Sequence, residues 1–369
     1  MLWYIIICAL MAYPLLIVYL GSRTGKKTDA AALFFGCLIL WFFMAMRDVS
    51  VGVDTQHYAF VFQQFPDIPL SKVFTAVTYA TPSRKWVYDF EPGYRLLNKL
   101  LSYFFTDPQA IIIVNSTIIM FLLYRLIQRH SANYMLSLWL YLTLGIFQTE
   151  MNVSRNAIAI FIVYNGFDYI AKGKLPQYLL CCITGALFHV TALVFIPFYW
   201  ILRIYKPTFR KSLLIIGIFA VAGAMFPVLS PVIRMLLPGS LQKYFDSAND
   251  KLASLMVGAV HAVLFIMVYW MLDKKNRAFI FRKYRVGIVL LTMNLCFFGL
   301  NIGLDSAARM AALFGPYIII LIPQMITQLD SRVKRRNAVI VVAGMSFVQF
   351  ILRMSVNNIG GSMPYRFFW

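Results

Sequence analysis

Apolar runs close to membrane-spanning length recur from one end of this chain to the other, separated only by short charged stretches. A spanning helix needs about 20 mostly apolar residues, and runs of that order occur at about residues 2–20, 31–46, 109–124, 134–149, 156–171, 212–229, 253–272, 286–303, 310–326 and 338–352. Between them no stretch is long or polar enough to make an aqueous domain. Only 13% of residues are charged and 61% are hydrophobic, against the roughly 25% charge of a soluble domain. The reading is one integral membrane domain over residues 1–369: an all-α, polytopic transmembrane bundle of about ten full spans.

The net charge of +20 would suit a nucleic-acid partner if the basic residues formed one patch. They fall instead in short clusters between apolar runs, which is what orientation in a membrane requires, so no nucleic acid is expected. The five cysteines all lie inside apolar runs, and no CxxC or Cys/His metal spacing occurs. The first segment has no basic residues ahead of its apolar stretch, while Arg23, Lys26 and Lys27 follow it. It reads as a span with its N-terminus outside rather than a cleaved signal.

Six basic clusters hold 21 of the 34 lysines and arginines: Arg23/Lys26/Lys27, Arg125/Arg129, Lys172/Lys174, Arg203/Lys206/Arg210/Lys211, the run Lys274 to Arg285, and Arg332/Lys334/Arg335/Arg336. All six share the cytoplasmic side only if residues 177–202 enter and return to the same face, as a re-entrant or split hairpin turning near His189. One straight span there would place the two richest clusters outside. Under the hairpin topology both termini are outside, with outer loops at 47–108 and 230–252. Ten of the fourteen acidic residues then share the outer face with several arginines.

Five places carry polar chemistry. Arg47 leaves the second span into Val51-Gly52-Val53-Asp54-Thr55-Gln56-His57-Tyr58; the arginine could clamp a phosphate and Asp54 could accept a proton. An arginine at a span end is also a common snorkelling anchor. From Trp86, Tyr88, Asp89 and Glu91 the chain enters a helix over 94–105 with Leu96, Leu97, Leu100, Leu101 and Phe104 on one face and Arg95, Asn98, Lys99 and Ser102 on the other. That pattern predicts an interfacial helix lying on the outer leaflet. Arg155 opens a span, where an ionisable residue is a functional hypothesis; a structural pair with Glu150 is the plain alternative. His189 occupies the apex of the hairpin, and irregular backbone at membrane depth is tolerated only beside protein or a wet cavity. Arg309 opens a later span behind Asp305.

In their order and spacing these segments resemble the EpsG family of Wzy-like oligosaccharide repeat-unit polymerases: Arg47 then VGVDTQHY, EPGYRLLNKL, SRNAIA opening a mid-chain span, ALFHVTAL, and a late ARMAALFGPY. The sequence departs from the pattern at Asn156, where glutamine is expected. The resemblance implies a helical, GT-C-like glycosyltransferase of the bacterial cytoplasmic membrane. It would transfer a glycan from polyprenyl pyrophosphate onto another lipid-linked repeat unit in O-antigen, capsule or exopolysaccharide synthesis, with no metal or other cofactor. A flippase and a chain-length regulator of the same pathway are the implied protein partners. Such chemistry needs cations for the pyrophosphate, for which Arg47, Arg155 and Arg309 qualify, and a base for the attacking hydroxyl, for which His189, Asp54 and Glu150 qualify. Tyr58, Glu91 and Asn156 lie in the matching segments and are expected to line the substrate site. Two other classes compete: a polysaccharide flippase would favour paired half-repeats and midplane charges, and a membrane O-acyltransferase would place its site toward the cytosol.

Overall fold

A computed structural model describes residues 2–20, 26–75, 90–236 and 251–369. The expectations that fall on Arg23, on Trp86, Tyr88 and Asp89, and on most of the outer loop 230–252 lie outside the described residues. The described chain is helical and contains no strand, only an isolated β-bridge between Arg47 and Phe367. It groups into two compact units: Met1–His130 with Tyr141–Arg203 and Met354–Trp369, and Ser131–Leu140 with Ile204–Arg353.

The first unit is built on α1 (Leu2–Leu20), α2 (Lys26–Ala45), α3 (Val53–Phe62), α4 (Pro92–Ser102), α5 (Gln109–His130), α6 (Tyr134–Thr143, which begins in the second unit), α7 (Ile146–Asn152), α8 (Ser154–Ala171), α9 (Leu175–Ala186) and α10 (Phe198–Ile204). α5 packs between α2 and α8, and α9 packs along α8. The run 134–149 is not one span, because Gly145 takes a left-handed conformation (φ 77°) and divides it into α6 and α7.

Residues 175–204 fold back on themselves. The Tyr178 hydroxyl donates to the Phe195 carbonyl at 2.6 Å, and its ring lies 6.1 Å from that of Tyr199. In a straight helix 17 residues would stand about 25 Å apart. Both feet of the hairpin sit at the C-terminal end of α8: Arg203 Nη1 donates to Ile170 O at 3.4 Å and lies 3.0 Å from where a Cβ on Gly173 would be. The apex sits at the other end of α8, where Thr191 bonds Asn156. Close approach of the two arms and α8 depends on Gly185, where a Cβ would come within 2.9 Å of both the Ala159 carbonyl and the Ala192 Cβ. At the foot end Arg129 and His130 face Asp168 at 3.9 and 3.7 Å, so Arg129, Lys172, Lys174 and Arg203 gather at one end of the unit.

α4 is amphipathic as expected, and its polar face is buried against the protein. Arg95, Asn98 and Lys99 are buried, while Leu100 is 46% and Phe104 80% exposed. Lys99 Nζ donates to the carbonyls of Phe65 and Pro66 at 3.1 and 3.4 Å, and Asn98 Nδ2 to Tyr94 O at 2.7 Å. Protein carbonyls satisfy the polar face, so the apolar face is the one left for lipid. The C-terminal tail closes the same end of the unit: Asp48 N donates to Arg366 O at 2.9 Å, Gly52 N to Gly361 O at 3.0 Å and Phe368 N to Met46 O at 3.1 Å.

The second unit contains α11 (Phe209–Leu236), α12 (Lys251–Met271), α13 (Lys274–Lys283), α14 (Arg285–Leu300), α15 (Ala307–Phe314), α16 (Ile318–Ile326) and most of α17 (Arg332–Asn357). α14 packs on α11, α12, α15 and α16. The basic run from Lys274 is helical rather than a loop, and α13 meets α14 at 88°. Ile280 and Phe281 supply its buried side. Among the described residues five helices are long and apolar enough to cross a membrane, or six with the bent pair. One of the five, Ala307–Ile326, runs through the 3-10 turn Gly315–Tyr317, and the remaining runs of the expected ten are shorter or, at 134–149, broken by Gly145.

Candidate functional site

The polar end of the first unit is organised around Arg155, in the first turn of α8. Helix α7 ends at Val153, whose φ −94°, ψ 52° breaks the helical path before α8 starts. That break turns Arg155 away from α7 and toward the start of α4. There Arg155 Nη1 forms a charged hydrogen bond with one carboxylate oxygen of Glu91, the residue just before α4. The other oxygen of Glu91 accepts from the Val190 backbone N–H at 3.1 Å. The guanidinium lies over the Phe90 ring at 4.2 Å, with Tyr94 at 5.6 Å and Tyr58 at 5.7 Å. Such an aromatic shelf holds a cation in place while leaving its edge available. The Nε of Arg155 is buried and meets no hydrogen-bond acceptor among the described residues.

The motif Glu91-Pro92-Gly93-Tyr94 suits this junction. Pro92 fits the first helical position, and Gly93 admits the hairpin apex, where a Cβ would meet Leu187 Cβ at 2.6 Å. Tyr94 N donates to Leu187 O at 3.0 Å, so α4 and the hairpin apex are joined beside Arg155.

His189 follows in extended backbone and caps the 3-10 helix Val190–Phe195. Its Nδ1 accepts from Thr191 N at 3.3 Å and lies 2.9 Å from Thr191 Oγ1, and that hydroxyl donates to Asn156 Oδ1 at 2.7 Å. The two contacts make opposite demands on Nδ1: the Thr191 N–H needs it bare, whereas the Thr191 hydroxyl, whose proton goes to Asn156, can only accept from an Nδ1–H. In the first tautomer Nε2 is an N–H donor, and in the second it is a bare nitrogen that can act as a base.

Below this layer lies Arg47, which is buried. It donates to Met44 O, to Met151 O at 2.8 Å, and to the Thr55 and Ser116 hydroxyls at 3.5 Å. Burial lowers its pKa to about 10, with Tyr365, Tyr4, Tyr58 and Tyr94 raising it in part. It stays charged and serves the chain itself, tying the start of α3 to α7. Gly52 makes the turn into α3 at φ 100°, and Asp54 N donates to Asn152 Oδ1 at 2.8 Å. Asp54 and Tyr58 are thereby presented one helical turn apart.

Of the residues expected from sequence, Tyr58, Glu91, Arg155, Asn156 and His189 come together, with Asp54 on the helix that carries Tyr58. Arg47 is enclosed beneath them. Glu150 points elsewhere: it is fully buried on α7, its Oε2 accepts from the Tyr141 hydroxyl at 2.7 Å, and burial raises its pKa to about 8. The alternative pair Arg155–Glu150 does not form, since the break at Val153 separates their faces. Arg309 lies exposed on the first turn of α15, in the second unit. Sequence reasoning missed Thr191, Phe90 and the Val190 N–H. Thr191 could have been found from its place two residues after His189, the spacing of a side-chain cap; nothing in the sequence marks the other two.

The arrangement combines an arginine on an aromatic shelf, an imidazole and a backbone N–H with nearby carboxylates, the parts needed to bind an anion and move a proton. No curated protein and no solved structure matches the chain. The profile of the EpsG family matches residues 30–367 and takes in every residue of this site. With nearly its whole length covered in that order, the chain belongs to the EpsG family.

Proposed function

We propose that this protein is a glycosyltransferase that joins polyprenyl-pyrophosphate-linked oligosaccharide repeat units at the outer face of the bacterial cytoplasmic membrane. The observation that carries this reading is the convergence of three separate segments, EPGY, SRNA and FHVT, around Arg155: Glu91 bridges its guanidinium and the Val190 N–H, and Thr191 bonds Asn156. In the reaction a hydroxyl of the acceptor sugar attacks the anomeric carbon of the donor glycan. The bond from that carbon to the pyrophosphate oxygen breaks, and its electron pair leaves with the lipid pyrophosphate. Arg155 and the Nε2–H of His189 stabilise the developing charge, while a carboxylate, Glu91 or Asp54, takes the hydroxyl proton. The Thr191 backbone N–H holds the His189 ring in the donor tautomer, and Tyr58 and Phe90 orient the arginine.

Sidedness is supported by the gathering of Arg129, Lys172, Lys174 and Arg203 at the end of the first unit opposite Arg155, since basic residues favour the cytoplasmic side. Whether the product is O antigen, capsule or exopolysaccharide follows from the sugars of the host pathway, whose flippase and chain-length regulator are the expected partners. The test is glycan laddering in a deletion strain complemented with wild type, Arg155→Ala or His189→Ala. Deletion leaves glycan capped with a single repeat unit, and at normal expression each variant loses about 10²–10³-fold of polymerising activity. Long-chain glycan in the deletion strain overturns the reading, and loss of every surface-exposed repeat unit marks a flippase instead.

A further inference from the structure

We propose that Glu91 occupies the anion site of Arg155 until the pyrophosphate of the lipid-linked donor displaces it, and that the released carboxylate is then the base for the acceptor hydroxyl. The inference rests on the polymerase reading above and adds an order of events to it. Glu91 bridges two donors of different kinds, the Arg155 guanidinium through Oε2 and the Val190 N–H through Oε1. Two oxygens of one anionic group on a guanidinium and a backbone N–H is also how a phosphate would be held. The bridge is not a helix cap, although Glu91 stands at the N-cap position of α4: its side chain makes no capping hydrogen bond. It therefore does no work for α4 that release would undo.

The guanidinium is also incompletely satisfied by its present partner. Its Nε is buried without an acceptor, and burying such a donor unpaired costs about 1–3 kcal/mol. A tetrahedral phosphate with three oxygens can serve both Nη1 and Nε where a carboxylate already shared with Val190 serves only one. The side chains of Arg155 and Glu91 are each 16% exposed, so the pair is reachable and yet poorly screened, and two anions cannot share it. Exchange of one for the other is the consequence. On leaving, the carboxylate is an acceptor without donors beside the bound pyrophosphate. There it takes the proton of the attacking hydroxyl, as the oxygen–carbon bond forms and the carbon–pyrophosphate bond breaks. Without a donor the base remains engaged, so an acceptor hydroxyl alone meets no free carboxylate.

The test separates binding from turnover in purified full-length protein in nanodiscs, with a sugar-free polyprenyl pyrophosphate as the binding probe. Removing the competing charge in Glu91→Gln should tighten probe binding on the order of tenfold, while polymerisation falls on the order of 10²–10⁴-fold. Glu91→Asp keeps the charge but cannot span both donors, so it should bind the probe more tightly than wild type and polymerise slowly; it serves as the reading should the glutamine variant not fold. Unchanged or weaker probe binding in a folded variant overturns the exchange, and near wild-type turnover in Glu91→Gln overturns the role as base. Failure of the wild type to bind the probe would instead overturn the polymerase reading itself.

Discussion

At the scale of residues, what decides a role is which atom faces which partner, and His189 is the clearest case. A histidine amid apolar residues at a predicted turn reads from sequence as a base. The proposed donor role uses the tautomer in which Nδ1 accepts from Thr191 N, which leaves Nε2–H for chemistry. Glutamine places an N–H near the position of Nε2, so His189→Gln should retain activity within about tenfold of wild type, whereas His189→Asn keeps the cap but should fall with His189→Ala by about 10². Equal loss in the glutamine and alanine variants, measured as polymer formed per unit time, would contradict the donor role. Glu150 supplies a second case. Its folded pKa of about 8 lies above the ordinary value of 4.5, so between those limits the folded state binds more protons than the unfolded. Stability therefore falls as pH rises through that window. Glu150→Gln, which still accepts from Tyr141, should flatten the decline in Tm between pH 4.5 and about 8. The positions of Arg155 and His189 were legible from order and spacing. Their partners were not, because the nearest acid in sequence to Arg155, Glu150, is turned away by one non-helical residue, Val153.

Elements add constraints that single residues do not carry. Charge parity alone leads to a fold-back in residues 177–202, and the Tyr178–Phe195 hydrogen bond places such a reversal there. The sequence does not say what lets the two arms lie against α8, since that depends on one position without a side chain. Gly185→Val should cost at least about 1–3 kcal/mol, read as a lower Tm and a loss of activity, because its new atoms would meet the Ala159 carbonyl and Ala192. For α4 the periodicity was legible and the orientation was not: the helical spacing of its leucines marks two faces, but lipid and protein interior exchange the usual meanings of inside and outside. Lys99→Ala should lower stability by about 1–3 kcal/mol by removing the donor to Phe65 and Pro66. Leu100→Ala, on the face left for lipid, should cost less than about 1 kcal/mol. The reverse order would mean that the leucine face, and not the polar face, packs against the protein.

At the scale of the whole molecule, the first unit has two chemically different ends, and this polarity ties topology to function. One end collects Arg129, Lys172, Lys174 and Arg203 near Asp168. The other holds Arg155, Glu91, His189 and Asp54, closed by the C-terminal tail against residues 46–52. An 18-residue α8 separates the two ends by about 27 Å, close to the thickness of a bilayer core. If the basic end is cytoplasmic, as proposed above from its positive charge, a lipid-linked donor reaches Arg155 only from the outer leaflet, so the sidedness of the hairpin is a condition of the proposed reaction. Single cysteines at Lys174, Arg203 and Val190, introduced into a cysteine-free background, test it with a membrane-impermeant thiol reagent on intact cells. Lys174→Cys and Arg203→Cys should stay unlabelled until the membrane is opened, while Val190→Cys reacts from outside. Labelling of one foot but not the other from outside would make residues 175–204 a single crossing and remove the apex from α8. Protection of Val190 with exposure of both feet would invert the unit, and a site facing the cytosol would return the acyltransferase reading.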